Sequence, residues 1–110
     1  MIRFVPFENG NVFGMKAFDG ETEAGNCTFS LEGYFMNFES VECADDILTE
    51  GLARAAMNYA ANRNAYIAKI KKEMSAPAFT RLGFSGDDIL TVEIPEALAS
   101  GCTCSHAKPF

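Results

Sequence analysis

Hydrophobic positions along this chain follow two rhythms, a period of two in its first part and a spacing of three and four in its middle. Residues 2 to 7, IRFVPF, form a short apolar run, and the ENGN that follows supplies Asn9-Gly10, so a hairpin into VFGMKAF is expected. Pro6 has no N–H to give to a ladder, which places the first strand at a sheet edge. A polar turn, DGETEAGN, then leads into CTFSLEGYFMNFESVEC, where Phe29 and Leu31 alternate with Thr28 and Ser30 before a second turn at Glu32-Gly33. In YFMNFESVEC strict alternation puts Tyr34, Met36 and Phe38 on one face and Phe35 and Val41 on the other, a strand partly covered on both sides.

The period changes over residues 46 to 63. Leu48, Leu52, Ala55, Ala56, Tyr59 and Ala60 make one stripe of a helix that Asp45 or Asp46 can cap, and Arg63 suits the dipole in its last turn. Its alanines let the helix lie close to a sheet. Tyr66 to Ile70 then read as a strand. Ser75 as N-cap, Pro77 in a first turn and the stop Leu82-Gly83-Phe84 predict a short helix over about 76 to 82. Ile89, Val92 and Ile94 mark a last strand ended by Pro95, PEALASG gives one helical turn, and CTCSHAKPF is irregular.

This order predicts an α+β fold: a mixed, mostly antiparallel sheet with one βαβ crossover and two helices. A ligand is expected near the carboxyl end of the strand that enters the crossover.

Composition narrows the function classes. The 110 residues make a single domain over 1–100 with a cysteine-containing tail over 101–110, and 48% hydrophobic residues with ten Phe and no Trp give a Phe-rich interior. A net charge of -6 repels polyanions, against nucleic-acid or anionic-membrane partners. No apolar run approaches the roughly 20 residues that span a bilayer, and MIRFVPFENG lacks a signal-peptide core, so a cytoplasmic location is expected. Cys27, Cys43, Cys102 and Cys104 read as reduced thiols.

Four stretches, YFMNFESVEC, LARAAMNYAANRN, AYIAKI and APAFTRLGF, occur in the order and spacing of the GNAT superfamily of N-acetyltransferases, which the chain resembles over residues 12 to 94. Tyr59-Ala60-Ala61-Asn62-Arg63-Asn64 matches the family's Trp/Tyr-Ala-x-x-Arg-Gly stretch, and residues 72 to 84 match in part its Asn, Ala and Tyr before Leu-Gly-Phe. The resemblance implies an acyl-CoA N-acyltransferase-like sheet and makes acetyl-CoA or another acyl-CoA the candidate cofactor.

In the family an Arg/Gln-x-x-Gly-x-Gly/Ala loop offers backbone amides to the cofactor's pyrophosphate at the helix N-terminus. Aligning back from Tyr59 places Ala44, Ile47 and Thr49 at those positions; a rival alignment takes Gly51-Leu52-Ala53 and puts Leu48 at the Arg/Gln position. Neither provides an anion-supporting side chain, and Asp45 and Asp46 stand inside the loop. At an effective dielectric near 20 each close carboxylate costs on the order of a few kcal/mol, against about 0.3 to 1 kcal/mol from the helix dipole. The family's tyrosine general acid falls at Phe79, its Asn at Lys72 and its Ala at Ser75, and its helical pair after the first strand has no counterpart between Phe7 and Val12.

Several residues carry candidate chemistry. Glu39 and Glu42 stand on the strand where the family often places a general base, and the backbone from Val41 to Cys43 could align a pantetheine arm. Cys43 is either a thiol activated by the helix N-terminus or an inert one, with Asp45 and Asp46 opposing activation. Cys102, Cys104 and His106, with Cys43 or Cys27, offer a zinc-like donor set at an unusual spacing, to which no metal is assigned. Glu42, Asp45, Asp46 and Glu50 are a cation site or simply a cap and solvated acids. Tyr34, Phe35, Phe38 and Phe79 are a pocket, core, or a dimer face.

The function expected is a binding or dimerisation module with a degenerate acetyl-CoA site, acting as a homodimer or on a protein or small-molecule ligand. An active acyl-CoA-dependent N-acyltransferase with an atypical loop, and a cysteine-tail metal or redox module, are the alternatives.

Overall fold

A computed structural model describes residues 2–100. Its strands β1 (Ile2–Asn9), β2 (Val12–Asp19), β3 (Thr22–Glu32), β4 (Phe35–Cys43), β5 (Ile67–Lys71), β6 (Ser85–Gly86) and β7 (Ile89–Glu93) form one sheet in the order β1-β2-β3-β4-β5-β7-β6. Three helices, α1 (Asp46–Ala61), α2 (Pro77–Arg81) and α3 (Ile94–Ser100), accompany it, with a 3-10 turn at Lys72–Met74. Only β4 and β5 run parallel, joined by the crossover through α1. The architecture is the expected α+β one, with three helices where two are legible in sequence. The predicted turn at PEALASG becomes the seven-residue helix Ile94–Ser100, which starts one residue earlier because Ile94 and Ala97, one turn apart, both reach the core.

Hairpins build the first four strands. Gly10, Gly20 and Gly33 take the positive φ that each tight turn needs. The first turn returns the chain straight from β1 to β2, so no helix stands between them. The polar stretch DGETEAGN is mostly strand rather than turn, since β3 starts at Thr22. Its polar side chains lie on the open face of the sheet, where Glu23 takes hydrogen from Asn26 Nδ2 at 2.9 Å and pairs with Lys16 at 3.7 Å.

The strict alternation expected in β4 breaks at Glu39. Phe29 pairs with Phe38 and the next β3 residue back, Thr28, pairs with Ser40, leaving Glu39 as the extra residue of a bulge. The bulge returns Val41 to the face already occupied by Met36 and Phe38, a correction to simple period two. Tyr34 lies in the turn and is 71% exposed, so it does not join that face.

All three helices lie on one side of the sheet. Their stripes meet Met15, Ala17, Cys27, Phe29, Met36 and Phe38 in a single core. Phe29, Phe79, Met36, Leu52 and Met57 are its largest fully buried side chains. At about 25 cal/mol per Å2 each such side chain contributes roughly 1.5–3 kcal/mol when fully buried. On the other face no described helix covers Asn26, Thr28, Ser30, Asn37 and Ser40, where Thr28 Oγ1 and Ser40 Oγ hydrogen bond at 2.7 Å. There Phe7 lays its ring flat across Gly14, with Lys16 Nζ 5.3 Å from the ring centre.

Helix ends follow two different rules. Asp45 caps α1: its Oδ1 accepts the Ile47 and Leu48 N–H groups at 2.9 and 3.2 Å. Ser75 does not cap α2. Ala76 holds the N-cap position, and Asp46 of α1 reaches across to accept the Ala78 N–H at 3.1 Å. Arg63 lies beyond the last turn of α1, over the Tyr59 ring at 4.4 Å and 3.5 Å from Glu8.

Candidate ligand cleft

β4 and β5 pair through Phe35–Asn37 and Ile67–Lys69 only, and beyond Asn37 and Lys69 no ladder pair joins them. The bulge at Glu39 lies two residues past the last pair, and the bend a bulge gives its strand accounts for the parting. A cavity of about 180 Å3 occupies the gap, lined by Asn37, Phe38, Glu39, Lys69, Ile70, Lys71 and Ile89. Its apolar support is Phe38, set edge-to-face against Phe79 at 5.4 Å, which in turn meets Phe84 at 5.2 Å.

Charge is distributed unevenly over the walls. Glu39 is exposed and accepts a hydrogen bond from Ser30 Oγ at 3.0 Å. Lys69 holds its ammonium 4.1 Å from the Phe35 ring centre. Lys71, opposite Ile89 in the ladder, makes no ion pair among the described residues. Lys69 and Lys71 were absent from the residues that sequence alone singled out; their signal was the alternation Lys-Ile-Lys, which puts both lysines on the uncovered face.

The other candidates lie at the far end of β4. Glu42 is exposed there, opposite Asn26 and outside the cavity lining. Val41 is half-buried and packs against the core, and the Cys43 thiol points to the Ala24 and Asp45 carbonyls at 3.9 and 3.5 Å. Thr49 is 3% exposed and donates its hydroxyl to the Asp45 carbonyl at 2.9 Å. Ala44 and Ile47 line a separate hollow of about 520 Å3 with Ile2, Phe4 and Gly51. Gly51 makes room for a neighbouring side chain, since a Cβ there would stand 3.0 Å from the Phe4 ring.

At the N-terminus of α1 two of the N–H groups that could meet an anion, those of Ile47 and Leu48, are already taken. Asp45 holds the Ile47 and Leu48 N–H groups, and its own carbonyl accepts the Thr49 N–H at 2.8 Å. Asp46 binds Arg81 at 2.7 Å and Glu50 binds Arg81 at 2.9 Å and Arg54 at 2.8 Å. The Arg81 hydrogen bond holds the Glu50 carboxyl below the ordinary carboxylate range, and the same pairs, Asp46 first, raise the Arg81 guanidinium further. The acids are thus a cap and an ion-pair network between α1 and α2. No group of three metal-type donors occurs among the described residues, and Cys102, Cys104 and His106 lie outside them.

Burial pushes the Cys27 thiol up to about 12, and both described cysteines are free thiols. Phe79 is fully buried and carries no hydroxyl. No helix among the described residues is long and apolar enough to cross a membrane.

No protein-family model and no curated protein sequence matches the chain. Solved structures do. A ribosomal-protein alanine N-acetyltransferase from Escherichia coli superposes with a TM-score of 0.66 at 10% identity, over 79% of this chain and 72% of that one. An aminoglycoside 6'-N-acetyltransferase from Enterococcus faecium gives 0.64 at 10% identity, over 78% and 74%. The PaiA N-acetyltransferase from Thermoplasma acidophilum, in complex with coenzyme A, gives 0.65 at 11% identity, over 76% and 61%.

Proposed function

We propose that this chain, which carries the fold of the GNAT N-acetyltransferases, is a binding module built on that fold and does not transfer acetyl groups in the family's usual manner. One observation carries the reading: the Asp45 carboxylate accepts the Ile47 and Leu48 N–H groups. A pyrophosphate would have to displace this tethered acceptor and then sit beside its charge. At 4 Å that repulsion is about 1 kcal/mol per unit charge in water and about 4 kcal/mol at an effective dielectric of 20. Phe79 adds a second argument, since a buried phenyl ring protonates no leaving thiolate.

The ligand site of such a module is the cleft between β4 and β5. Self-association through the uncovered sheet face is the companion proposal, because no helix among the described residues lies over that face. Calorimetry with acetyl-CoA tests the main reading: no binding at micromolar concentrations is expected, and a micromolar Kd overturns it. Sedimentation equilibrium tests the dimer, and a monomer at all concentrations removes it.

A second reading, an acyl-CoA-dependent N-acyltransferase with Glu39 as general base, is favoured by the position of Glu39 in the cavity lining. Release of free coenzyme A in the presence of amine acceptors, abolished in Glu39→Gln, would establish it.

A further inference from the structure

Glu39 and Lys71 stand on opposite walls of the β4–β5 cleft, each two residues past the last ladder pair of its strand, and the cavity of about 180 Å3 lies between them. The two opposite charges form no ion pair with each other. Lys69 adds a second cation on the same wall, steadied over Phe35 at 4.1 Å, and Asn37 contributes an uncharged amide. The cavity is smaller than the roughly 300–1,000 Å3 of sites for drug-sized molecules and close to the ~150 Å3 that holds a benzene ring. It suits a ligand of amino-acid size. In a chain of net charge -6 the paired lysines also provide local attraction for an anionic group that the molecule as a whole repels.

We propose that this cleft binds a small amino carboxylate, whose carboxylate is received by Lys71 and Lys69 and whose ammonium is received by Glu39. The ligand completes the ion pair that the parted strands hold open. Glu39 keeps acceptor capacity for it, because Ser30 Oγ occupies one position on one of its two oxygens. Phe38, Ile70 and Ile89 bound the space between the poles and favour a short methylene spacer over a branched polar one. The inference rests on the reading of the cleft as the ligand site and names the class of ligand it takes.

The test is an amide chemical-shift titration of the full chain with glycine, β-alanine and γ-aminobutyrate. Butyrate and n-butylamine serve as single-pole controls. At least one amino carboxylate should give saturable shifts confined to residues 37–40 and 69–71, with each single-pole control at least about tenfold weaker, since a charge-assisted hydrogen bond is worth about that factor. Lys71→Met should weaken the amino carboxylate by a similar factor and leave butylamine unaffected, and Glu39→Gln should weaken the amino carboxylate likewise and leave butyrate unaffected. Both side chains are exposed, so an unchanged spectrum elsewhere certifies the fold of each variant. Absence of saturable shifts with all three amino carboxylates, equal affinity for a control, or indifference to Lys71→Met overturns the proposal. Acetyl-CoA calorimetry on the same samples separates the two levels. Micromolar acetyl-CoA binding defeats the binding-module reading, whereas silence toward both ligand types defeats the amino-carboxylate assignment alone.

Discussion

Replacing Asp45 separates its two roles, helix cap and anion repellent. Its carboxylate accepts two N–H groups, at 2.9 and 3.2 Å, and a lost Asp cap costs about 1 kcal/mol when Ala replaces it but only a few tenths when Gly does. With an unfolding entropy of about 2.1 cal/mol/K per residue, 110 residues give about 0.23 kcal/mol/K. Asp45→Ala should therefore lower Tm by about 4 °C and Asp45→Gly by about 1–2 °C. Both free two N–H groups and remove a charge whose repulsion of an anion at 4 Å is worth about 1–4 kcal/mol, or at least about a fivefold gain in affinity. Scanning fluorimetry with and without pyrophosphate at constant ionic strength reads both effects. Pyrophosphate should raise the Tm of Asp45→Gly and leave that of the parent chain in place. Equal stabilisation of the two proteins, or an Asp45→Ala variant as stable as the parent, refutes the assignment of Asp45 as the group that fills the site.

Three further outcomes follow from the packing. Phe79→Tyr should destabilise by about 1–3 kcal/mol and produce no acetyl transfer, because it puts a hydroxyl on a fully buried ring packed against Phe38 and Phe84. Denaturant melts and a coenzyme A release assay check the two halves. Gly14→Ala should cost about 1–3 kcal/mol in chemical denaturation, since a Cβ at Gly14 would collide with the Phe7 ring, which must then leave; the paired change Phe7→Ala should remove most of that penalty. The Glu50 carboxyl is held low in the folded state by Arg81, so its contribution is present above its unfolded pKa and is lost as pH falls through the folded one. Acid unfolding curves should thus be shallower for Glu50→Gln than for the parent in that acidic window, and parallel curves would remove Glu50 from the account.

Most of the strand and helix order was legible because the hairpin glycines and the α1 stripe signal locally. What escaped is tertiary. The bulge at Glu39 depends on how β3 pairs with β4, and nothing in the string FESVEC marks one residue as extra. The cap on α2 comes from Asp46, 32 residues upstream of Ala78, so a search for a neighbouring Ser or Asp settles on Ser75 instead. β3 begins early because an open sheet face tolerates the polar residues that resemble a turn. At the cleft, Glu39 was accessible from its place on the strand, but that it lines the cavity while Glu42 does not was not legible. That difference arises from where two strands part, and Lys71 becomes relevant only once β5 is placed beside β4.

The three pairs between β4 and β5 also have a mechanical meaning. On one side of them lie β1 to β4, and on the other β5, β7 and β6. Together with the Tyr66 and Ile67 N–H groups that share the Tyr34 carbonyl, at 2.7 and 3.0 Å, they stitch the two leaves at one end. A sheet fastened like a book along part of its spine opens only as far as the packing beneath it allows, and here Phe38 of β4 against Phe79 of α2 fastens the covers from below.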